Sequence, residues 1–180
     1  LKNKPARTVL FLWVTAEEQG LLGSSYYAQN PVYPKEKTVA NINIDGVNPY
    51  GKNKDVVLVG MGQSDLEDYL NEEARRVGRY VSPEPNPVAG YYFRSDHFSF
   101  AKVGVPALYT NDGIDNMEKG AEYGKQIQNE YDSTRWKLDG SLEDLKLLFN
   151  VGKKISMEST WPQWKSSSEF KAIRDAYMPK

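Results

Sequence analysis

The sequence predicts an α/β fold, a three-layer αβα sandwich around a mixed and mostly parallel sheet. Short apolar or alternating segments that are typical of strands occur at residues 8–15, 38–44 and 55–60. Segments with helical spacing lie between and after them, and strands that alternate with helices favour a sheet covered on both faces. With 180 residues and 39% hydrophobic content, the chain is long enough for one such domain with its own core. We therefore expect residues 1–180 to form a single domain.

The first predicted element is a buried strand. Residues 8–15 form a continuous apolar run with β-branched and aromatic side chains, a pattern typical of a strand covered on both faces. A short helix is predicted at residues 20–29, because Asn30 and Pro31 end it. Residues 38–44 alternate between apolar and polar side chains and predict a second strand. A third short strand is predicted at residues 55–60.

A longer helix is predicted at residues 64–77. Ser64 stands at the N-cap position, and Glu67 follows at the spacing of a capping box. A proline-rich loop comes next and leads to the aromatic residues 91–93. These three rings favour core packing, although a pocket for apolar side chains is an alternative use of them.

The last third of the chain contains one predicted strand and one predicted long helix. Residues 105–109 predict a short strand, and Pro106 favours an edge or strand-start position. Residues 111–137 are polar and have no clear period, so no element is predicted there. Leucines at helical spacing predict a helix at about residues 142–158. The amphipathic tail at residues 168–177 is expected to pack against the domain.

The overall composition excludes several kinds of partner. The formal net charge is -1, with 23 Lys and Arg against 24 Asp and Glu, so neither nucleic acid nor an anionic membrane is an expected partner. Cysteine is absent, which excludes disulfides and thiolate chemistry. No apolar stretch reaches the length of a membrane span.

Acidic residues follow two of the predicted strands. Glu17 and Glu18 come after the first strand, and Asp45 ends the second one, before Gly46. The carboxyl ends of strands are where ligands bind in open α/β sheets. Clustered carboxylates repel one another unless a cation or a shared proton compensates them. The pattern therefore predicts a site, most simply a metal site, although a helix cap and an ordinary Asp-Gly turn are the plainer alternatives.

His97 is the only histidine of the chain. A lone histidine is more often structural than a ligand. Arg94 and Asp96 give it polar neighbours just before the strand at residues 105–109, so a pocket-lining role is a second interpretation.

These residues lie in motifs that resemble the di-zinc aminopeptidase and glutamate carboxypeptidase family of co-catalytic metallopeptidases. The most specific motif is TAEEQGLLGS at residues 15–24. It is followed in family order by NIDG at residues 43–46, RSDHFSF at 94–100, GVPAL at 104–108 and EYDSTRW at 130–136. The resemblance covers nearly the whole chain and implies an αβα fold that acts on peptides from their N-terminus.

The resemblance also implies roles for individual residues. Glu17 would be the catalytic general base, Glu18 would bind one zinc ion and Asp45 the other. Three consecutive residues match a pocket-wall motif and would bind substrate: Ser95, Asp96 and His97. Two zinc ions are expected in the complete protein. Zinc lowers the pKa of bound water towards neutrality, so a glutamate near that water has a suitable proton-transfer task.

The chain departs from the family pattern at the other metal ligands. The family's first two ligands, a His and a bridging Asp, lie upstream of the Glu17 motif, outside this sequence. Its last His is missing from residues 125–132, which keep only the Glu-Tyr-Asp ending. Either evolution removed that segment or a piece of the protein is absent from this sequence, and the intact flanks favour the second. We expect a partial catalytic domain, incomplete at its N-terminus.

The leading hypothesis is therefore part of a zinc-dependent aminopeptidase, inactive by itself, with partial or no zinc. The family implies that the parent protein is periplasmic or secreted. The alternative is a non-catalytic binding or receptor-like module of the same fold, against which the retained acids argue. A distant alternative is a retaining glycosidase, whose paired carboxylates stand about 5 to 5.5 Å apart.

Overall fold

A four-stranded mixed sheet forms the centre of the computed structural model, which describes residues 4–127 and 136–178. The strands are β1 (Asn41–Asn43), β2 (Asp55–Val59), β3 (Tyr80–Pro83) and β4 (Ala107–Asn111). Their order in the sheet is β1-β4-β2-β3. The pairs β1–β4 and β2–β3 are parallel, and β2–β4 is antiparallel. The sheet is therefore mixed and mostly parallel, as predicted.

Helices surround this sheet. They are α1 (Leu22–Gln29), α2 (Leu66–Arg76), α3 (His97–Lys102), α4 (Gly120–Ile127), α5 (Leu138–Met157) and α6 (Lys171–Asp175). Among the described residues, none of these helices combines the length and the apolar character that crossing a bilayer requires.

The core has two parts, one on each face of the sheet. Val56 and Leu58 of β2 pack with α2 and α5. Val59 and Tyr109 belong to the second cluster, which includes Ala101 of α3 and the C-terminal tail. Because successive side chains of a strand point to opposite faces, the two clusters lie on opposite sides of the sheet. This arrangement confirms the three-layer αβα architecture.

The helix at α2 begins two residues later than predicted, and the predicted capping box is wrong. Ser64 is buried and forms a β-bridge with Trp164 of the tail, so it does not cap the helix. Glu67 accepts a hydrogen bond from the backbone N–H of Gly62 at 2.6 Å and pairs with the ammonium group of Lys165. Ser64 and Glu67 therefore contact Trp164 and Lys165 of the tail instead of capping the helix.

The predicted strand at residues 8–15 is also wrong. Residues 8–14 are extended but make no backbone hydrogen bond within the described part of the chain. The side chains from Val9 to Trp13 are between 39% and 86% exposed, and the rings of Phe11 and Trp13 stack on each other. Apolar composition predicted burial, but no strand or helix among the described residues covers this segment.

A stripe on α5 is also apolar and exposed. Four of its apolar side chains are 40% to 66% exposed: Leu138, Leu142, Leu145 and Phe149. Lys154 pairs with Glu72 of α2, and at 3.6 residues per turn the stripe lies on roughly the opposite side of α5. Arg7 donates a hydrogen bond to the carbonyl of Ile155 at 2.6 Å, which brings the start of the extended segment to α5. We call residues 9–13 and the α5 stripe the apolar edge.

The strand predicted at residues 105–109 is β4, shifted by two residues. It begins just after Pro106, which confirms the strand-start position. The edge alternative is wrong, because β4 lies between β1 and β2.

The polar region from 111 to 137 contains α4, which no sequence period predicted. Gly124 lets this helix approach the carbonyl of Ile114 closely.

The C-terminal tail packs against the second core cluster, as expected. Trp164 and Phe170 are buried there, and the indole N–H of Trp164 donates to the carbonyl of Gly104 at 2.8 Å. Arg174 is also buried and donates to the carbonyl of Thr38 at 2.9 Å. The tail therefore joins the end of the chain to the loop that precedes β1.

Candidate active site

Glu17 and Glu18 lie on a tight turn between the extended segment and α1. The carbonyl of Glu17 accepts hydrogen bonds from the backbone N–H groups of Gly20 at 3.0 Å and Leu21 at 2.9 Å. Ala16 and Leu21 have φ values of 57° and 60°, a left-handed conformation that is uncommon for residues with a Cβ atom. Such backbone strain concentrates at functional sites. The turn therefore holds the two glutamates in a defined position.

Three other carboxylates lie close enough to Glu17 to act on its charge. The pKa of Glu17 is raised, first because partial burial disfavours its charged form, and then because of the negative charges of Asp45, Glu18 and Asp96. Glu17 is half-buried, whereas Glu18 and Asp45 are exposed. The structure thus brings together the three acids that the sequence singled out, and it adds Asp96 to them.

Asp45 is held by a residue that the sequence analysis missed. The hydroxyl of Tyr109 donates a hydrogen bond to Oδ2 of Asp45 at 3.1 Å. Burial, followed by the charge of Asp45, raises the pKa of Tyr109, so its hydroxyl stays protonated and acts as a donor. Tyr109 is opposite Asn43 in the parallel β1–β4 pair, two residues before Asp45. The register of the β1–β4 pair, which sets Tyr109 beside the end of β1, is the observation that identifies Tyr109.

The three predicted pocket-wall residues occupy different environments. Ser95 is buried and accepts a hydrogen bond from the amide group of Asn43 at 2.7 Å. Asp96 lies near Glu17 and has one buried carboxylate oxygen without a hydrogen-bond partner among the described residues. His97 lies entirely in the core. Asp96 is therefore the member of this motif that reaches the carboxylate cluster.

His97 is enclosed by aromatic rings. Its ring stacks on Tyr109, and the ring of Tyr92 meets it edge-on, both at 4.7 Å between ring centroids. Neither ring nitrogen has a hydrogen-bond partner in the described part of the chain. Burial lowers the pKa of His97 to about 3, and the nearby backbone of Tyr92 opposes this only partly. His97 is therefore neutral at physiological pH and lies in the core rather than at an open pocket wall.

The described residues do not form a complete zinc site. They contain no group of three His, Cys, Asp or Glu side chains placed to hold a metal ion, whereas catalytic zinc normally has three protein ligands. Glu18 and Asp45 supply carboxylates only, and the single imidazole is enclosed in the core. The motif at 130–136 lies outside the described residues except for its last position.

Comparison with known proteins shows similarity to aminopeptidases. The chain is 30% identical over 143 residues to proteins called "Aminopeptidase" from two strains of Pseudomonas aeruginosa. The match covers 73% of this chain and 26% of each relative, so the chain spans about a quarter of their length. The crystal structure of the Legionella pneumophila LapA aminopeptidase has a similar fold, with a TM-score of 0.55 and 18% identity over 81% of this chain and 39% of that one.

The family model described as "Peptidase family M28" matches residues 1–149. The match includes the turn with Glu17 and Glu18, the end of β1, the loop before α3 and β4, and it extends into α5. The structure places the turn, the end of β1, the loop before α3 and β4 around one carboxylate cluster. By its sequence, this chain belongs to peptidase family M28.

Proposed function

We propose that this chain is part of the catalytic domain of an aminopeptidase, with Glu17 as its catalytic acid–base. The observation that carries the proposal is the convergence of Glu17, Glu18, Asp45 and Asp96 at one end of the sheet, in a chain of a peptidase family. The names of the Pseudomonas relatives support the choice of an aminopeptidase among peptidases.

Hydrolysis of a peptide bond requires a group that takes a proton from water and delivers it to the leaving amine. A carboxylate whose pKa is raised towards neutrality suits both halves of this transfer. Partial burial and three neighbouring acids raise the pKa of Glu17 in this direction. The turn between the extended segment and α1 fixes its position, so Glu17 can face a peptide bound over the carboxylate cluster.

The same cluster offers a basis for recognising a free N-terminus. Asp96 lies near Glu17 and has a buried carboxylate oxygen without a hydrogen-bond partner among the described residues, and a negative charge attracts an ammonium group. We propose that the N-terminal amine of a peptide lies near Asp96, the acid of the cluster that would not bind zinc, which would place the first peptide bond near Glu17. An exopeptidase preference for N-terminal residues follows from this arrangement.

Zinc is part of the proposal for the whole protein. Glu18 and Asp45 would be ligands to different ions, and the remaining ligands would come from outside the described residues. Zinc would supply an activated water when bound. The chain alone has too few ligands for this, and we propose that it is inactive in isolation.

The test uses the complete polypeptide that contains this chain, assayed with aminoacyl p-nitroanilides. We expect Glu17→Gln to lower kcat by roughly 10²- to 10⁴-fold, because the substitution removes the proton acceptor and keeps the shape. Glu36→Gln, at an exposed glutamate before β1, is the matched control and should retain full activity. A chelator should also abolish activity. Full activity of Glu17→Gln would refute the proposed role.

The second candidate is a non-catalytic binding module of the same fold. The lack of a three-ligand group among the described residues favours it. If the complete polypeptide, supplied with zinc, hydrolyses no aminoacyl or peptide substrate, while it still binds peptides, this second candidate is correct.

A further inference from the structure

We propose that Tyr109 is a positioning residue for Asp45, and that Ser95 and His97 act through Tyr109 rather than on the substrate. The catalytic consequence of this inference rests on the proposed function. The structural part stands on contacts among described residues and has a test of its own.

A chain of polar contacts leads from β1 back to the carboxylate cluster. The amide group of Asn43 donates to the hydroxyl of Ser95 at 2.7 Å, Ser95 lies close enough to the hydroxyl of Tyr109 to lower its pKa, and Tyr109 donates to Asp45 at 3.1 Å. An amide N–H₂ can only donate, while a hydroxyl donates and accepts. Every donor in this chain can therefore point the same way, towards the carboxylate. Hydrogen bonds in such a series strengthen one another.

Tyr109 is the one described residue that hydrogen-bonds to the carboxylate of Asp45. Asp45 is exposed on the turn after β1, where a short side chain would otherwise change rotamers freely. Tyr109 itself is only 7% exposed and belongs to a central strand. A fixed donor thus holds one oxygen of an exposed carboxylate and leaves the other oxygen available to the site.

His97 supports the ring of Tyr109 from behind. The two rings stack at an interplanar angle of 29°, and Tyr92 closes the other side of His97 at 81°. Because neither nitrogen of His97 has a hydrogen-bond partner among the described residues, the imidazole acts here through its shape. A phenyl ring should therefore replace it with little effect on Tyr109, whereas a methyl group should not.

The test measures the rotamer of Asp45 by NMR in the 180-residue chain. Scalar couplings about χ1 of Asp45 should show one dominant rotamer in the wild type and averaged rotamers in Tyr109→Phe. The carbon-13 shift of the Asp45 carboxylate should change in the same variant. Tyr80→Phe is the matched control, because Tyr80 also donates to an aspartate, Asp115, at 3.1 Å. That variant should change Asp115 and leave Asp45 unaffected.

The His97 variants test the second half of the inference. His97→Phe should keep the wild-type couplings of Asp45, and His97→Ala should show averaging while most backbone amide signals stay in place. Unchanged couplings in Tyr109→Phe would overturn the positioning role of Tyr109. Averaging in His97→Phe, equal to that in His97→Ala, would overturn the role of His97 as a shape support.

The complete polypeptide supplies the catalytic readout. We expect Tyr109→Phe to lower kcat about tenfold or more, in line with the loss of other groups that orient site ligands, with KM nearly unchanged. His97→Phe should retain the wild-type kcat. Wild-type kcat in Tyr109→Phe would overturn the catalytic consequence. If the polypeptide shows no peptidase activity at all, the proposed function fails, while the NMR couplings still decide whether Tyr109 positions Asp45.

Discussion

Burial decides which acids of this chain titrate close to neutrality. Asp112, at the end of β4, has its pKa raised to about 6, first by burial and then by the charge of Asp144. Burial also raises the pKa of Asp144, although Arg79 opposes this through an ion pair at 2.5 Å. The pKa of Glu17 is also raised, with burial as the first cause. Packing at one end of the sheet therefore sets the pKa values of these residues, and through them the stability of the fold depends on pH.

Asp112 should make the fold less stable as the pH rises. Its pKa is about 6 in the folded chain and ordinarily 3.8, so the folded state binds the proton more tightly than the unfolded state does. The penalty is absent below about pH 4, grows between about pH 4 and 6, and is complete above that range, where it reaches about 3 kcal/mol. Asp112→Asn should therefore stabilise the chain by about that much more at pH 7 than at pH 4.

Urea unfolding at the two pH values measures this difference directly. Asp68→Asn, at an exposed position on α2, is the control and should show no comparable pH dependence. A difference between wild type and Asp112→Asn that is equal at both pH values would show that Asp112 titrates normally.

At the residue scale, the sequence singled out three acids that lie near one another in the structure, but not their support. Glu17, Glu18 and Asp45 could be singled out because each follows an apolar segment, although only Asp45 follows a strand of the structure. Tyr109 could not, because its role depends on its register against Asn43. The burial of His97 depends on Tyr92 and Tyr109, which lie on separate elements. Contacts between distant segments carry no local signal.

At the element scale, local patterns predicted those elements whose own residues determine them. The strand β2 and the helices α2 and α5 appear within about four residues of their predicted bounds, because their apolar spacing is sufficient. The segment at residues 8–15 is the opposite case. Its composition is that of a central strand, but a strand also needs a neighbour to accept its hydrogen bonds. Sequence alone could not report that the described chain lacks such a neighbour.

The apolar edge should make the isolated chain associate with itself. Exposed apolar side chains together with unpaired backbone favour association. We expect a weight-average mass above 20.4 kDa at about 100 µM. Phe11→Lys and Trp13→Lys should shift the mass towards the monomer value, and change the free energy of unfolding by less than about 0.5 kcal/mol.

Analytical ultracentrifugation provides the measurement. Val88→Lys is the control, because Val88 is 96% exposed and lies outside the apolar edge, and this variant should behave as the wild type does. A wild-type chain that is monomeric throughout the concentration range would contradict the prediction.

At the scale of the whole molecule, four segments of the chain contribute to the candidate site. The turn at Glu17, the end of β1, the loop before α3 and β4 all contribute to the carboxylate cluster. The same chain spans about a quarter of its Pseudomonas relatives. Its fold resembles 39% of the LapA aminopeptidase. The described residues thus contain the carboxylate cluster and no group of three side chains placed to hold a metal ion.

Zinc binding by the isolated chain should therefore be weak. Two exposed carboxylates, without an imidazole or a thiolate beside them, provide fewer than the three protein ligands of a catalytic zinc site. After dialysis against zinc-free buffer, elemental analysis should find well below one zinc ion per chain. Asp45→Asn should leave that low content nearly unchanged. Retention of one or more zinc ions per wild-type chain would contradict the expectation.

The packing of aromatic rings around Tyr92, which contacts both His97 and Phe170, has a consequence for synthesis on the ribosome. Phe170 stacks on Tyr92 at 6.0 Å between ring centroids, so a later segment of the chain covers an earlier one. At cellular elongation rates, Phe170 is added roughly 4 to 16 s after Tyr92. During that interval the nascent chain carries an open aromatic face next to His97 and Tyr109. The aromatic packing around Tyr92 is therefore completed only after Phe170 has left the ribosome.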